Sequence, residues 1–300
     1  AYGAELSDAA STGTGTKNKA EMTGGTLTGS LYGAHTAGSG TLTESEVKVS
    51  GGNVGGSLYG ARTAGSGALS ASEVKITGGN IGGSVYGSDI ALGAGDATGS
   101  KITISSGAVT GDVYGGKTAG TGAATGHTLN LYGGTVSGSV YGGHTTSGAT
   151  TGNTVNLGDG VHSLPSGTTV TGTIYGGNQA ADTNNVLNVN TNAQAGNIAN
   201  FGMVKFNFNS TFNQANPMLD LGGGSATNFD WNKFTHTGDA PSGTSILMQN
   251  MNNINVANYN GAKEISSTGT HEYTIDTDTN TATAKQILFG GYQFKDAVVT

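Results

Sequence analysis

Val74-Lys75-Ile76-Thr77-Gly78-Gly79-Asn80-Ile81-Gly82-Gly83-Ser84-Val85-Tyr86-Gly87 is the stretch that decides the fold, because it recurs. One copy earlier the chain reads Val47-Lys48-Val49-Ser50-Gly51-Gly52-Asn53-Val54-Gly55-Gly56-Ser57-Leu58-Tyr59-Gly60. One copy later it reads Ile102-Thr103-Ile104-Ser105-Ser106-Gly107-Ala108-Val109-Thr110-Gly111-Asp112-Val113-Tyr114-Gly115. The Tyr-Gly pair marks the phase at Tyr32, Tyr59, Tyr86, Tyr114, Tyr141 and Tyr175. Tyr59 to Tyr86 is 27 residues, a period at which chains form solenoids or propellers.

Within one copy, Val74 and Ile76 share parity and alternate with Glu73, Lys75 and Thr77, the pattern of a half-buried strand. The glycine pair that follows permits positive φ and reads as a corner. A second short strand is expected from Ile81 to Tyr86, with Ile81 and Val85 on one parity. A polar segment such as Thr63-Ala64-Gly65-Ser66-Gly67 completes the copy. No helix is expected here, because helical apolar spacing is absent and each interior glycine costs a helix about 1 kcal/mol. One copy offers about four aliphatic side chains (Val74, Ile76, Ile81 and Val85 in this one), too few to fold alone. Stacked copies would bury a continuous core.

A propeller blade needs four antiparallel strands in roughly 40–50 residues. Two clear strands per copy, with room for a third short one, favour a parallel β-helix with one coil per copy. Coils would then lie about 4.8 Å apart. The general preference for right-handed crossovers makes the expected fold an all-β, right-handed parallel β-helix.

The chain has 300 residues, 55 glycines, 10% charged residues, a formal net charge of −7 and no cysteine. The glycines keep register with aliphatic strands, which a disordered linker does not require. An acidic chain without basic clusters argues against nucleic acid or an anionic membrane as partner. Without cysteine there is no disulfide, no cysteine-ligated zinc and no thiol nucleophile. Ala1-Tyr2-Gly3 has no charged start or apolar run, so no signal peptide is expected, and no stretch approaches the roughly 20 apolar residues of a membrane helix. The chain reads as a mature or excised piece, with Tyr2-Gly3 the remnant of an earlier coil.

Lys19-Ala20-Glu21-Met22 aligns with Glu46-Val47-Lys48-Val49. Outward columns of Lys19, Glu46, Glu73 and Lys101, and of Glu21, Lys48 and Lys75, follow as a solvated face. Val161-His162-Ser163-Leu164-Pro165-Ser166-Gly167 is inserted before Tyr175 and, carrying a proline, is expected to leave the coil as a loop. Composition shifts beyond residue 200: all eight phenylalanines and Trp231 lie there, and the Tyr-Gly phase is lost. Alternation persists at Val186–Val189, Val204–Phe208, Leu219–Leu221, Ile246–Met248 and Tyr273–Ile275. Glycine-rich coils are therefore expected over 1–182 and an aromatic-filled continuation and cap over 183–300, since an uncapped solenoid exposes sheet edges and core.

The Gly-Gly-x-aliphatic-x-Gly-Ser-aliphatic-Tyr-Gly coils resemble the passenger domain of a bacterial autotransporter adhesin. So do the later blocks Gly196-Asn197-Ile198-Ala199-Asn200-Phe201-Gly202-Met203-Val204-Lys205-Phe206 and Pro217-Met218-Leu219-Asp220-Leu221. The likeness spans most of the chain. It implies a β-helical rod ending in a C-terminal folding segment, displayed on the bacterial cell surface or released outside the cell. Attachment to the outer membrane would be through a barrel that this chain lacks. The implied partners are a host-cell receptor, a glycan or other bacterial cells.

The candidate binding residues are the tyrosine column and its neighbours. If the strand runs straight through Tyr86, the rings form an exposed ladder able to stack on sugars or a partner. If the chain bends at Gly83-Ser84, they turn inward and stack as core. Three residues after each tyrosine stands a variable slot: His35, Arg62, Asp89, Lys117, His144 and Asn178. These read as exposed turn residues. His35 and His144 are four coils apart, about 19 Å, so no single metal ion bridges them. Thr36, Thr63, Thr118 and Thr145 form a partial column that Ile90 interrupts, a weak case for an ice- or crystal-binding array. Asp89, Asp96 and Asp112 fall in one copy, but nothing in the spacing sets two of them at the separation glycoside hydrolysis needs. No cofactor, metal site or catalytic set is expected. The expected function is adhesion by a rigid rod. A self-associating rod for aggregation or biofilm and a polysaccharide-cleaving enzyme are the alternatives.

Overall fold

Parallel pairing of like with like builds the molecule. A computed structural model describes residues 1–6, 11–160, 168–178, 184–209, 212–222, 228–230, 233–238, 244–251, 255–257, 264–265, 271–276 and 281–286. Among these residues the chain is all-β, with coils stacked as a parallel β-solenoid. Each repeat walks around short walls. Glu73–Ile81 makes the first wall and, past its glycines, the second. Val85–Ile90 carries the tyrosine, and Ala97–Thr98 makes a short fourth wall in a separate five-stranded sheet.

Register is strict. Val47 pairs with Val74, Val74 with Ile102, Ile102 with Leu129, Leu129 with Val155, Val155 with Leu187 and Leu187 with Val204. These side chains are buried and join one cluster that runs from Ala20 to Met251. A smaller cluster of Ala34, Leu42, Ala61, Leu69, Ile90 and Ala97 fills the space behind the tyrosine wall. Burying each Val, Leu or Ile contributes about 1.5–3 kcal/mol, which an isolated coil could not collect. The expected strand Ile81 to Tyr86 does not form. Gly82 and Gly83 turn the chain, so Ile81 closes one wall and Val85 opens the next.

Two glycine columns make this stacking possible. Gly52, Gly79, Gly107 and Gly134 hold φ between 81° and 98° at the corner after the first wall. The glycine after each tyrosine is required by closeness: a Cβ on Gly60 would lie 2.5 Å from the carbonyl oxygen of Gly87 in the next coil.

A polar column runs inside the coils at the corner that enters the first wall: Ser45, Ser72, Ser100, His127, Asn153 and Asn185, all fully buried. His127 Nδ1 accepts the Ser100 N–H at 3.1 Å, Asn153 Oδ1 accepts the His127 N–H at 2.9 Å, and Asn185 Oδ1 accepts the Asn153 N–H at 3.0 Å. Asn153 Nδ2 also donates to the carbonyls of Thr150 and Ala124, at 3.1 and 3.3 Å. His127 Nε2 lies near the Ala97 carbonyl without a well-formed hydrogen bond. Burial lowers the His127 pKa from 6.5 to about 4, against that carbonyl's opposing pull.

The wall columns continue beyond residue 183. Val186–Val189 pairs with Met203–Asn207, which pairs with Phe234–Thr237, all parallel. Phe206 and Phe208 fill the core there. Thr244–Gln249 pairs in parallel with Leu219–Leu221 on one edge and antiparallel with Thr281–Gln286 on the other. His271–Asp276 adds to the latter strand, also antiparallel. The insertion Val161–Gly167 and Trp231 lie outside the described residues.

The threonine column is not a surface. Thr36, Thr63, Thr118 and Thr145 are buried, and Ile90 shares their inward column. Thr118 and Thr145 both donate to the Gly122 carbonyl at 2.8 Å, so the hydroxyls are consumed by the adjoining loop.

Gly60→Ala should destabilise the chain by about 1–3 kcal/mol in urea unfolding. Gly24→Ala, with nothing within 4 Å of the added carbon, should cost well under that. Neutral His127 also gives the fold an acid limb. Its folded pKa lies below its unfolded value, so stability is full above about pH 6.5 and declines as pH falls toward 4, by on the order of 3 kcal/mol. His127→Asn, which copies Asn153, should leave a shallower limb to which the half-buried His35 and His144 still contribute.

Candidate functional site

Tyr32, Tyr59, Tyr86, Tyr114, Tyr141 and Tyr175 occupy one register column. Neighbouring ring centroids are 4.7, 4.7, 5.1, 4.9 and 4.7 Å apart, with planes within 7° of parallel. The spacing is that of the strands carrying them. The chain does bend at Gly82-Gly83, yet the rings face outward, because Val85 restarts the alternation with its own side chain inward. They are half-buried by one another and by the slot residues, and Tyr114 is buried at 8% exposure.

The slot residues are not turn residues. His35, Arg62, Asp89, Lys117 and His144 lie in the same strands as their tyrosines and are half-buried. In Leu58–Thr63, Gly60 and Ala61 are both buried, so alternation slips by one and Arg62 emerges on the face of Tyr59. Asn178 sits at a bend beyond its strand, where its amide bonds both the N–H and the carbonyl of Thr145, at 2.9 and 2.7 Å.

Four of the six slot residues meet the rings. Arg62 lies 5.5 Å from the Tyr59 centroid, and Lys117 lies 4.9 Å from that of Tyr114 and 5.7 Å from that of Tyr86. Cation–π contacts of this kind contribute about 0.5–1 kcal/mol where partly exposed. His144 stands edge-on to Tyr114 and Tyr141, and His35 tilts against Tyr32 at 5.3 Å. Burial, then the Arg62 charge, lowers the His35 pKa against the pull of Glu5. Burial, then Lys117, lowers that of His144. Arg62 Nε donates to Asp89 Oδ2 at 2.9 Å, and burial raises the Asp89 carboxyl against the pull of that guanidinium.

A second column was not read from the sequence. Ser30, Ser57, Ser84, Asp112 and Ser139 stand two residues before their tyrosines. Each side-chain oxygen accepts a backbone N–H from the next coil, at 2.8 to 3.2 Å. The same side chains meet the phenols. Tyr114 donates to Asp112 Oδ2 at 2.9 Å, and burial followed by that acidic partner pushes its pKa up. Burial raises Tyr59 to about 12. The strict spacing of serine before tyrosine was the available signal.

The three aspartates do not assemble. Asp89 pairs with Arg62, Asp112 with Tyr114 and the Ser139 N–H, and Asp96 Oδ1 accepts the Ala123 N–H across a loop at 2.8 Å. No group of three His, Asp or Glu among the described residues could hold a metal, and no helix there is long and apolar enough to cross a membrane. What remains is a rigid outward face on which aromatic edges alternate with fixed charges and imidazoles.

Arg62→Ala should destabilise the chain by about 1–3 kcal/mol at neutral pH, because a half-buried carboxylate loses its partner. Most of that deficit should disappear in acid, leaving the part owed to the lost Tyr59 contact. Without Arg62, Asp89 rises further above its unfolded value of 3.8, so the carboxylate penalty is complete above the folded pKa and gone once the carboxyl is protonated in both states. Lys101→Ala, which removes an exposed pair with Glu73, should change stability by less than about 0.5 kcal/mol at any pH. Compared with known proteins, the chain matches no family model, no curated protein and no solved structure.

Proposed function

We propose that this chain is a non-catalytic adhesin passenger: a rod that presents its tyrosine flank to a host-cell receptor, glycan or neighbouring bacterial cell at the cell surface. The observation that carries the reading is the unbroken tyrosine stack from Tyr32 to Tyr175, flanked by Arg62, Asp89, Lys117 and His144. The slot residues set two cations, a carboxylate and an imidazole beside the rings along one face, a mixed chemistry that a binding surface can use. The flank is already ordered by coil stacking, so little side-chain entropy is lost when a partner docks. Tyrosine adds contact area and an amphipathic edge. The resemblance of the glycine-rich coils to autotransporter passengers supplies the proposed setting, with the membrane barrel on a segment outside this chain.

Self-association is the second reading, and the first wall favours it. Lys19 with Glu46, Glu21 with Lys48 and Glu73 with Lys101 form a mixed-sign strip that an inverted second copy could complement.

The purified chain should bind cultured host cells or bacteria saturably, and Lys117→Ala and Tyr86→Ala should each weaken binding several-fold while the coils stay folded. No saturable binding to any cell type would defeat the adhesin reading. Concentration-dependent association in sedimentation velocity, with no cell binding, would put the self-associating rod in its place.

A further inference from the structure

Away from the tyrosine flank, the second wall carries a polar groove. Thr169, Gln194, Asp220 and Gln249 stand in register on successive strands, so their side chains step along the rod at coil spacing. Two adjoining depressions of about 320 and 420 Å³ open there and share Thr169, Gln194 and Asp220. Each lies within the size range of small-molecule sites, about 300–1,000 Å³.

The groove is held in shape by its rim. Asn192 Nδ2 donates to the carbonyls of Asn213, Asn216 and Pro217, at 3.2, 3.1 and 2.7 Å, and its Oδ1 accepts the Asn213 N–H at 3.1 Å. This fixes the turn that forms one bank. Asn250 Nδ2 donates to Asp220 Oδ1 at 2.6 Å, which orients the carboxylate. Asp220 Oδ2 has no partner among the described residues and is available as an acceptor.

We propose that this groove binds an uncharged oligosaccharide, a site that rests on the adhesin reading and names a ligand class for it. Amides, hydroxyls and one carboxylate supply mixed donors and acceptors, as a chain of neutral hydroxyls requires. Among the described residues no lysine or arginine lines either depression, and Asp220 opposes phosphate, sulfate, sialic and uronic groups. A peptide strand would need a free sheet edge, but these strands are paired on both sides. A helical peptide would need apolar anchors, and the lining has small ones such as Ala193 and Pro217.

An array carrying neutral, sialylated and sulfated oligosaccharides tests this with the intact chain. Wild type should bind at least one neutral class. Gln194→Ala and Asp220→Ala should each weaken that binding tenfold or more, and Gln194→Arg, a change at an exposed position that fills the groove, should abolish it with the thermal midpoint unchanged. Binding confined to anionic glycans, binding to none, or neutral binding indifferent to all three variants would overturn the groove. Cell adhesion that survives any of those results would leave the adhesin reading standing without it. Neutral-glycan binding lost in the groove variants, in a chain that binds no cell, would sink the adhesin reading and keep the site.

Discussion

Each coil must hydrogen-bond to the next in parallel and in register, at the spacing between strands. That constraint selects residues that tolerate lying against their own kind. Aliphatics stack inward, tyrosines stack face to face, and Asn156 and Asn188 bond along the ladder from Asn130 at 2.7 Å per step. Charges tolerate it poorly, which accounts for 10% charged residues in the chain. Where charges do stand in column they mostly alternate in sign, as Lys19 with Glu46 and Glu73 with Lys101. Glu46 beside Glu73 and Lys48 beside Lys75 are the exceptions, on a partly exposed face where water screens them.

Departures from strict repetition carry the individuality of the molecule. In the interior polar column, serine gives way to His127 and then to Asn153, each keeping an acceptor for the preceding coil's N–H. In the column before the tyrosines, Asp112 replaces serine with the same backbone role and adds a charge beside Tyr114. The slot column varies most freely, because its residues meet solvent and ring faces and do not have to fill a shared core.

Much was legible in the sequence because a period turns one reading into many. The 27-residue spacing, the parity of Val74 and Ile76, and the glycine pair together imply coils, and the charge columns of the first wall follow by alignment. The tyrosines were legible as a column but not as a face. Parity counted from Ile81 puts Tyr86 outward, as found, but the glycines between them turn the chain, and only the shape of that turn decides that Val85 restarts the alternation inward. The slot residues failed for a related reason. Two consecutive buried positions at Gly60 and Ala61 return Arg62 to the outside within the strand, and no pattern of residue types announces that slip. The threonine column, already a weak case for a surface array, points inward because loop carbonyls such as those of Gly38 and Gly122 lie within reach of its hydroxyls.

The sequence by itself determined that the chain is a stack of short strands and which residues share a column, since periodicity is a one-dimensional property. Tertiary structure alone decided which way each column points, how deeply it is buried and what it meets across a corner. Those depend on where glycine lets the backbone turn and on carbonyls brought close by neighbouring coils. The groove at Gln194 and Asp220 belongs wholly to the second kind, since its floor and its bank come from strands and a turn that only coil stacking brings together.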